Sequence, residues 1–241
     1  MTAMTPLLEI SVESLASAIA AERGGAHRIE LCSDLSIGGV TPSADLMRKT
    51  RAAIKIPIFA MIRPRGGNFF YSNSELAQMR GDIGLAKSCK MDGLVFGILH
   101  ADNTVDVERT RELVRIASPL PVTFHRAFDE TPDLHKALEA VIQTGATRIL
   151  TSGGEPTAAQ GATVVSDLAA AAADRITILP GGGINTSNFA EVIRATRARE
   201  FHSGLGTTLP YGQSSEAAFS SAVSDLVSLL QRQPPFATSR T

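Results

Sequence analysis

A two-part pattern recurs eight times along the 241-residue chain and limits the folds that it can adopt. Each repeat is a short apolar, β-branched run, followed by a polar loop and a helical stretch with apolar residues three and four positions apart. The runs predicted as strands are 7–11, 28–32, 56–62, 93–98, 121–125, 148–152, 176–180 and 200–204. The helices are predicted near 13–23, 43–53, 74–89, 106–117, 132–144, 160–173, 187–197 and 215–231.

Strands that alternate with helices predict a parallel sheet, whose strands are apolar throughout because helices cover them. Eight units of roughly 30 residues match a closed (β/α)8 TIM barrel. A doubly wound open sheet is the alternative, although no GxGxxG motif follows the first strand. Because the composition does not change along the chain, we expect one domain over 1–231. A flexible tail is expected over 232–241, which contains two adjacent prolines.

The composition is that of an ordinary globular protein and argues against several function classes. Hydrophobic residues make up 44% and charged residues 20% of the chain, enough for a full core. A formal net charge of -1 argues against a general affinity for nucleic acid or an anionic membrane surface. No apolar run approaches the ~20 residues of a membrane-spanning helix. The two cysteines, Cys32 and Cys89, do not suggest a disulfide framework, so we expect a cytoplasmic protein.

Polar residues inside the predicted strands indicate which side chains face the barrel lumen. Alternate side chains of a barrel strand point to the lumen and to the surrounding helices, and the helices take the apolar face. In the second strand, for example, Ile29 and Leu31 share one face and Glu30 and Cys32 share the other. The polar side chains predicted to point inward are Glu9, Ser11, Glu30, Cys32, Thr123, His125, Glu200 and His202.

The carboxyl ends of the strands form the functional face of a TIM barrel. His125 closes the fifth strand and is followed by Arg126, so we expect it to meet the other polar groups across the barrel mouth. A Glu paired with an Arg is also a common structural layer of a barrel, and this is an equally good interpretation of Glu9 and Glu200. The candidate catalytic residues at the mouth are Glu9, Glu30, Arg63, His125 and His202.

Two regions are candidates for binding an anion. The loop 63–75, RPRGGNFFYSNSE, is predicted to be either a lid with Arg65 as the anion clamp or an oligomer contact. The glycine-rich segments 180–185 and 202–206 follow the seventh and eighth strands, where TIM barrels frequently bind phosphate. The candidate ligand-binding residues are Arg65, Arg126, Thr151, Gly182, Gly183, Ser203 and Gly204.

Ordered motifs between Leu8 and His202 together resemble the CutC family of copper homeostasis proteins. They are IELCS, GGVTPS, IRPRGG, FFYSNSE, DGLVFG, PVTFHRAFD, RILTSGG, PGGGI and EFH. The resemblance implies a TIM barrel, a cytoplasmic location and a homo-oligomer, either a homodimer or a homotetramer. It also implies Cu(I) binding through cysteines near the ends of the first two strands. Cys32 occupies the second of these positions, and Ser11 occupies the first.

The chemistry of the lumen leaves the metal open. Cu(I) prefers thiolate and thioether ligands. Cys32 is one such ligand, and Met61 is a second if it faces inward. The remaining lumen groups offer oxygen and nitrogen, which suit Zn²⁺ or Mn²⁺, or no metal at all.

The sequence is therefore compatible with two functions. One is a copper-binding homeostasis protein. The other is a TIM-barrel enzyme, of lyase, isomerase or hydrolase type, that acts on a small phosphorylated or carboxylated metabolite. In the enzyme, Glu30 or His125 would be the general acid or base, and Arg63 would hold the anion. The expected partner is thus a metal ion or a small anionic molecule.

Overall fold

The computed structural model describes residues 6–205 and 215–232 and shows the alternation of strands and helices that the sequence predicts. The strands β1–β8 are Leu7–Val12, Arg28–Leu31, Ile58–Met61, Gly93–Phe96, Val122–Phe124, Arg148–Thr151, Thr177–Pro180 and Glu200–Ser203. The helices α1–α8 are Leu15–Arg23, Ala44–Ala53, Asn73–Ser88, Val107–Ala117, Leu134–Thr144, Ala162–Ala172, Phe189–Thr196 and Glu216–Gln231. Two 3-10 turns cover Leu35–Ile37 and Arg126–Glu130.

Several strands are shorter than predicted. The third was expected over 56–62 but begins at Ile58, since Pro57 has no N–H for a sheet ladder. The predicted tail begins one residue beyond α8, whose C-cap is Arg232. The remainder of that tail, 233–241, lies outside the described residues. None of the described helices is both long and apolar enough to cross a membrane.

The strands form one parallel sheet in the order β7-β6-β5-β4-β3-β2-β1-β8. Its two edge strands, β7 and β8, lie against each other and close the sheet into a barrel, so the predicted TIM barrel is confirmed. Gly181 directly follows β7 at this seam. A Cβ atom there would lie 2.4 Å from Cδ1 of Leu150 and 3.0 Å from Cβ of His202, so the close approach requires glycine.

The strand register places the polar lumen residues in layers. Glu9 of β1 is level with Arg28 of β2 on one side and with His202 of β8 on the other. Ser11 is level with Glu30, one layer nearer the carboxyl ends of the strands. The apolar residues between them, such as Leu8 and Ile10, are fully buried against the helices.

A layer of ion pairs fills the lumen beneath the carboxyl-terminal face. Arg28 bonds Glu9 through Nε and Glu200 through Nη2, the latter at 2.8 Å. Arg148 also reaches Glu200, with its Nε 2.8 Å from the same oxygen. The guanidinium carbons of Arg28 and Arg148 lie 4.6 Å and 5.3 Å from the centroid of the Phe59 ring. We call these five residues the floor layer, and it matches the structural interpretation of Glu9 and Glu200.

Replacing Gly181 with alanine tests the barrel seam. Because the new methyl group would collide with Leu150 and His202, we expect a loss of about 1–3 kcal/mol of unfolding free energy in urea denaturation. The matched control is Gly81→Ala, since a Cβ at Gly81, on the exposed side of α3, meets no atom within 4 Å. That control is expected to gain ~0.5–1 kcal/mol. Equal stability of Gly181→Ala and the parent protein would contradict a tightly packed seam.

Candidate functional site

A cavity of about 360 Å³ opens at the carboxyl ends of the strands, above the floor layer. It lies where the sequence analysis expects the functional face of a TIM barrel. Met61 and Phe69 also line it, so the Met61 side chain does face inward. The candidate site residues that line the cavity are Glu30, Arg63, His125, Arg126, Gly182, Gly183, His202 and Gly204.

Glu9, Glu30 and His202 form a buried cluster at one side of the cavity. Their nearest ligand atoms all lie within 4.8 Å of one another, which is close enough to hold a metal ion. Nδ1 of His202 is 2.7 Å from Oε1 of Glu9, and its Nε2 is 3.9 Å from Oε2 of Glu30. Glu9 also accepts a hydrogen bond from Arg28, so it lies behind His202 and is not among the residues that line the cavity.

The charges of this cluster depend on one another. Burial alone would raise the pKa of Glu9, but Arg28 and His202 outweigh burial and hold that pKa at about 2. Burial raises the pKa of Glu30, and the nearby His202 only partly opposes this. For His202, burial favours the neutral ring, but the carboxyl groups of Glu30 and Glu9 outweigh it and raise its pKa. Glu9 is thus a permanent anion at neutral pH, whereas Glu30 and His202 hold protons more readily than usual.

Two sulfur atoms lie beside this cluster. Cys32 is fully buried, and its thiol donates a hydrogen bond to Oε2 of Glu30 at 3.5 Å. Burial, together with the charge of Glu30, raises the pKa of the Cys32 thiol well above its usual value. Met61 packs with Cys32, Phe59 and Val95 in a small group of buried side chains. The thiol of Cys32 and the imidazole of His202 therefore approach the same oxygen of Glu30, Oε2.

His125 and Arg63 belong to a separate group across the barrel from His202. Their neighbour is Phe69, whose ring centroid lies 4.8 Å from that of His125 and 4.7 Å from the guanidinium carbon of Arg63. His125 was expected to meet Glu9, Glu30, Arg63 and His202 across the barrel mouth; it lines one cavity with all of them except Glu9, but no hydrogen bond or ion pair among the described residues joins it to Glu9, Glu30 or His202. The reason is the strand order: β8, β1 and β2 are neighbours, and β5 lies across the lumen.

His125 is a neutral imidazole of defined tautomer. Its Nδ1 accepts a hydrogen bond from the backbone N–H of Ala127 at 3.3 Å, so the ring proton is on Nε2. Burial, reinforced by the charge of Arg63, lowers the pKa of His125 to about 3. His125 is only 4% exposed, and its Nε2 has no hydrogen-bond partner among the described residues.

Arg63 is fixed by backbone carbonyl groups. It donates to the carbonyl oxygens of Ile37 and Gly39, both at 3.1 Å, and to that of Gly67 at 2.8 Å. These bonds connect the loop after β2 to the loop after β3. The side chain is 5% exposed, so its charge is held at the cavity wall.

Arg65 does not reach the cavity, and the predicted anion clamp was wrong in that respect. Its Nε lies 2.5 Å from Oε1 of Glu75, and its other nitrogens donate within the loop, to the carbonyl oxygens of Gly66, Asn68 and Phe70. Glu75 in turn closes a capping box with Ser72 at the start of α3. Arg65 therefore braces the loop 63–75, and Phe69 is the residue of that loop that lines the cavity.

The predicted ligand-binding residues after β5 and β6 form one hydrogen-bonded network around Asp129. The carboxylate of Asp129 accepts from the hydroxyl of Thr151 at 2.5 Å and from Nε of Arg126 at 2.8 Å. Arg126 also donates to the hydroxyl of Ser152 at 2.8 Å, and its guanidinium lies beside Gly182. Sequence reasoning missed Asp129 as the centre of this network, although it stands within the charged PVTFHRAFD motif. Thr151 supports Asp129 and is not among the residues that line the cavity.

The glycine-rich loop after β7 turns sharply at Gly182 and Gly183, whose φ angles are +106° and +67°. Both residues line the cavity, as expected, together with Gly204 after β8. Ser203 instead donates its hydroxyl to the carbonyl oxygen of Ile184 at 2.6 Å and ties this loop to β8. Ser203 thus supports the loop and does not line the cavity.

Comparison with known proteins agrees with this architecture. The family model described as the CutC family matches residues 6–207. The chain belongs to the CutC family. A human protein named copper homeostasis protein cutC homolog is 47% identical over 206 residues, which cover 86% of this chain and 76% of the human protein. A CutC family protein of Chromobacterium violaceum is 45% identical, covering 83% of this chain and 81% of the relative.

A solved structure also matches. The crystal structure of a protein named for copper homeostasis, CutC of Streptococcus agalactiae, superimposes with a TM-score of 0.78 at 33% identity. The match covers 82% of this chain and 98% of that chain. Family and barrel fold therefore agree by sequence and by structure.

Replacing Glu9 with glutamine tests the charge cluster. The folded-state pKa of Glu9, about 2, is below its ordinary value of 4.5, so the carboxylate stabilises the fold above pH 4.5. That stabilisation is lost as the pH falls from 4.5 towards 2. We expect Glu9→Gln to lose on the order of 3 kcal/mol of unfolding free energy at pH 7.

The measurement is urea denaturation of both proteins at neutral and acidic pH. The difference between them should narrow as the pH falls below 4.5. The control is Glu139→Gln, which removes an exposed ion pair with Arg175 and should change the stability little. A difference for Glu9→Gln that stays constant with pH would show that the carboxylate is not ionised in the fold.

Proposed function

We propose that the chain binds a copper ion in the barrel cavity, at the wall formed by Glu30 and His202, and that it serves copper homeostasis. Its curated human relative is named for copper homeostasis. The buried carboxylate and imidazole groups supply ligand atoms that borderline metal ions accept. Copper is the cargo of this protein, carried at the same end of the barrel at which TIM-barrel proteins bind their ligands.

The geometry of His202 carries this proposal. Its Nδ1 is held by Glu9, so its Nε2 faces the cavity beside Glu30. A carboxylate on the far nitrogen is the usual support of a metal-binding histidine, because it fixes the ring and increases its basicity. Glu9 is already bonded to Arg28, so we assign it this supporting role. Glu30 and His202 are then the two ligands of the cluster.

The neighbouring sulfur atoms favour the monovalent state of copper. Cu(I) prefers thiolate and thioether ligands, and Cys32 and Met61 pack together next to Glu30. The high pKa of the Cys32 thiol means that copper binding must displace its proton. Zn²⁺ or Mn²⁺ would use the oxygen and nitrogen ligands without needing either sulfur. The sulfur pair therefore distinguishes the two kinds of metal.

The test is a comparison of Cys32→Ser with Cys89→Ser, in anaerobic competition against a chromogenic Cu(I) chelator. Cys89 is a matched control, since it is also a buried free thiol but contacts Ala44 outside the cavity. We expect Cys32→Ser to bind Cu(I) at least roughly tenfold more weakly, because it loses a soft ligand. Cys89→Ser should bind like the parent protein. Stoichiometric Zn²⁺ binding with no measurable Cu(I) binding would overturn the proposal.

His202→Asn tests the imidazole separately. The asparagine amide can replace Nδ1 in its contact with Glu9, whereas the ligand atom Nε2 is removed. We expect Cu(I) affinity to fall at least roughly tenfold, with the far-ultraviolet circular dichroism spectrum unchanged. Unchanged Cu(I) affinity in this variant would exclude His202 as a ligand.

We also propose that the chain acts in the cytoplasm as a homodimer or homotetramer. Both cysteines are free thiols, which suits a reducing compartment. The exposed side chains of Ile37 and Phe70 lie in the loops after β2 and β3 and offer apolar surface for a contact between copies. Analytical ultracentrifugation measures the oligomeric state directly.

A further inference from the structure

Arg63 is a buried cation at the cavity, and it has no carboxylate partner among the described residues. Its guanidinium donates to three backbone carbonyl oxygens and interacts with the hydroxyl of Tyr71, and all of these groups are uncharged because burial raises the pKa of Tyr71. Within residues 6–205 and 215–232, neither Glu30 nor Glu130, which also line the cavity, forms an ion pair with it. Burying a charge without a counter-charge is costly, and an anion bound beside Arg63 would offset that cost.

Arg126 does not supply the same field, although it also lines the cavity. Its guanidinium is neutralised by Asp129 at 2.8 Å, and its side chain is 43% exposed. The excess positive charge at the wall therefore comes from Arg63. Phe69 packs against both Arg63 and His125, and both side chains are buried.

His125 adds a neutral hydrogen-bond donor beside this charge. Its Nδ1 is used by the N–H of Ala127, which leaves the proton on Nε2. That Nε2–H is buried and has no acceptor among the described residues, and His125 lines the cavity. In this tautomer Nε2 has no free lone pair for a metal ion, but its N–H donates well to an oxygen atom.

We infer that the cavity binds a small ligand with a carboxylate or phosphate group, one oxyanion of which lies between Arg63 and His125. A volume of about 360 Å³ is much larger than a metal ion needs, and it falls within the range of about 300–1,000 Å³ that is usual for small-molecule sites. Carboxylate and phosphate share the required chemistry, which is negative charge with oxygen acceptors. His125 faces Glu30 and His202 across the barrel, and this anion site does not depend on copper binding.

The experiment uses two substitutions at one position. In His125→Asn the side-chain oxygen replaces Nδ1 and still accepts from Ala127, but the Nε2 donor is lost. In His125→Gln the amide nitrogen replaces Nε2 and keeps the donor, but the bond to Ala127 is lost. Comparing the two variants therefore separates the effect of losing the Nε2 donor from the effect of losing the bond to Ala127.

Binding is measured by isothermal titration calorimetry with succinate and, separately, with inorganic phosphate, with sodium chloride keeping the ionic strength constant. Heat with succinate alone identifies a carboxylate site, and heat with phosphate alone identifies a phosphate site. For the probe that binds, we expect His125→Asn to bind at least roughly tenfold more weakly and His125→Gln to stay within about threefold of the parent protein. Absence of binding by both probes at millimolar concentration, or equal binding by His125→Asn and the parent, would overturn the inference.

Measuring the Cu(I) affinity of the same variants by chelator competition shows whether anion binding and copper binding are independent. His125→Asn should retain the Cu(I) affinity of the parent protein, and Cys32→Ser should retain its affinity for the anion. Loss of both anion binding and Cu(I) binding in His125→Asn would show a general disturbance of the cavity. In that case His125 has no specific role in anion binding, and the inference fails.

Discussion

The ion pair between Arg28 and Glu9 is the interaction on which the interior of this barrel depends. Arg28 is 3% exposed and also bonds Glu200, so one cation connects β1, β2 and β8. With Glu9 held as an anion by Arg28, His202 has a fixed acceptor for one nitrogen and presents the other to the cavity. A structural layer of the lumen thereby sets the geometry of the candidate copper ligands.

The cavity above this layer has two walls of opposite chemistry. On one side Glu30 and His202 offer lone pairs, with the sulfur atoms of Cys32 and Met61 close by. On the other side Arg63 and His125 offer N–H groups and positive charge. The side chains of both walls are buried. Electrostatic interactions are stronger between buried groups than at the surface. The strand order accounts for part of this separation, since Glu30 and His202 lie on β2 and β8, on either side of β1, whereas His125 follows β5 across the lumen.

Sequence periodicity was sufficient to predict the barrel and the inward direction of Glu30, His125 and His202, because side chains alternate strictly along a strand. The partners of these residues were not predictable in the same way, since contacts across a lumen depend on strand register and on long side chains. Arg28 shares the inward face of Glu30 but stands at the start of its strand, and its role as the central cation was not recognised. Arg65 is the type of residue expected of an anion clamp. Its guanidinium instead donates to carbonyl oxygens of its own loop.

The floor layer determines from which end of the barrel a ligand can reach the cavity. Because the guanidinium groups of Arg28 and Arg148 both pack against the ring of Phe59, the floor layer fills the lumen below the cavity in the part of the chain that the structure describes. Among the described residues, a ligand therefore reaches and leaves the cavity from the carboxyl ends of the strands, beside the loop that carries Phe69. If the cavity takes up a metal ion from one partner and gives it to another, both partners have to approach the same end of the barrel.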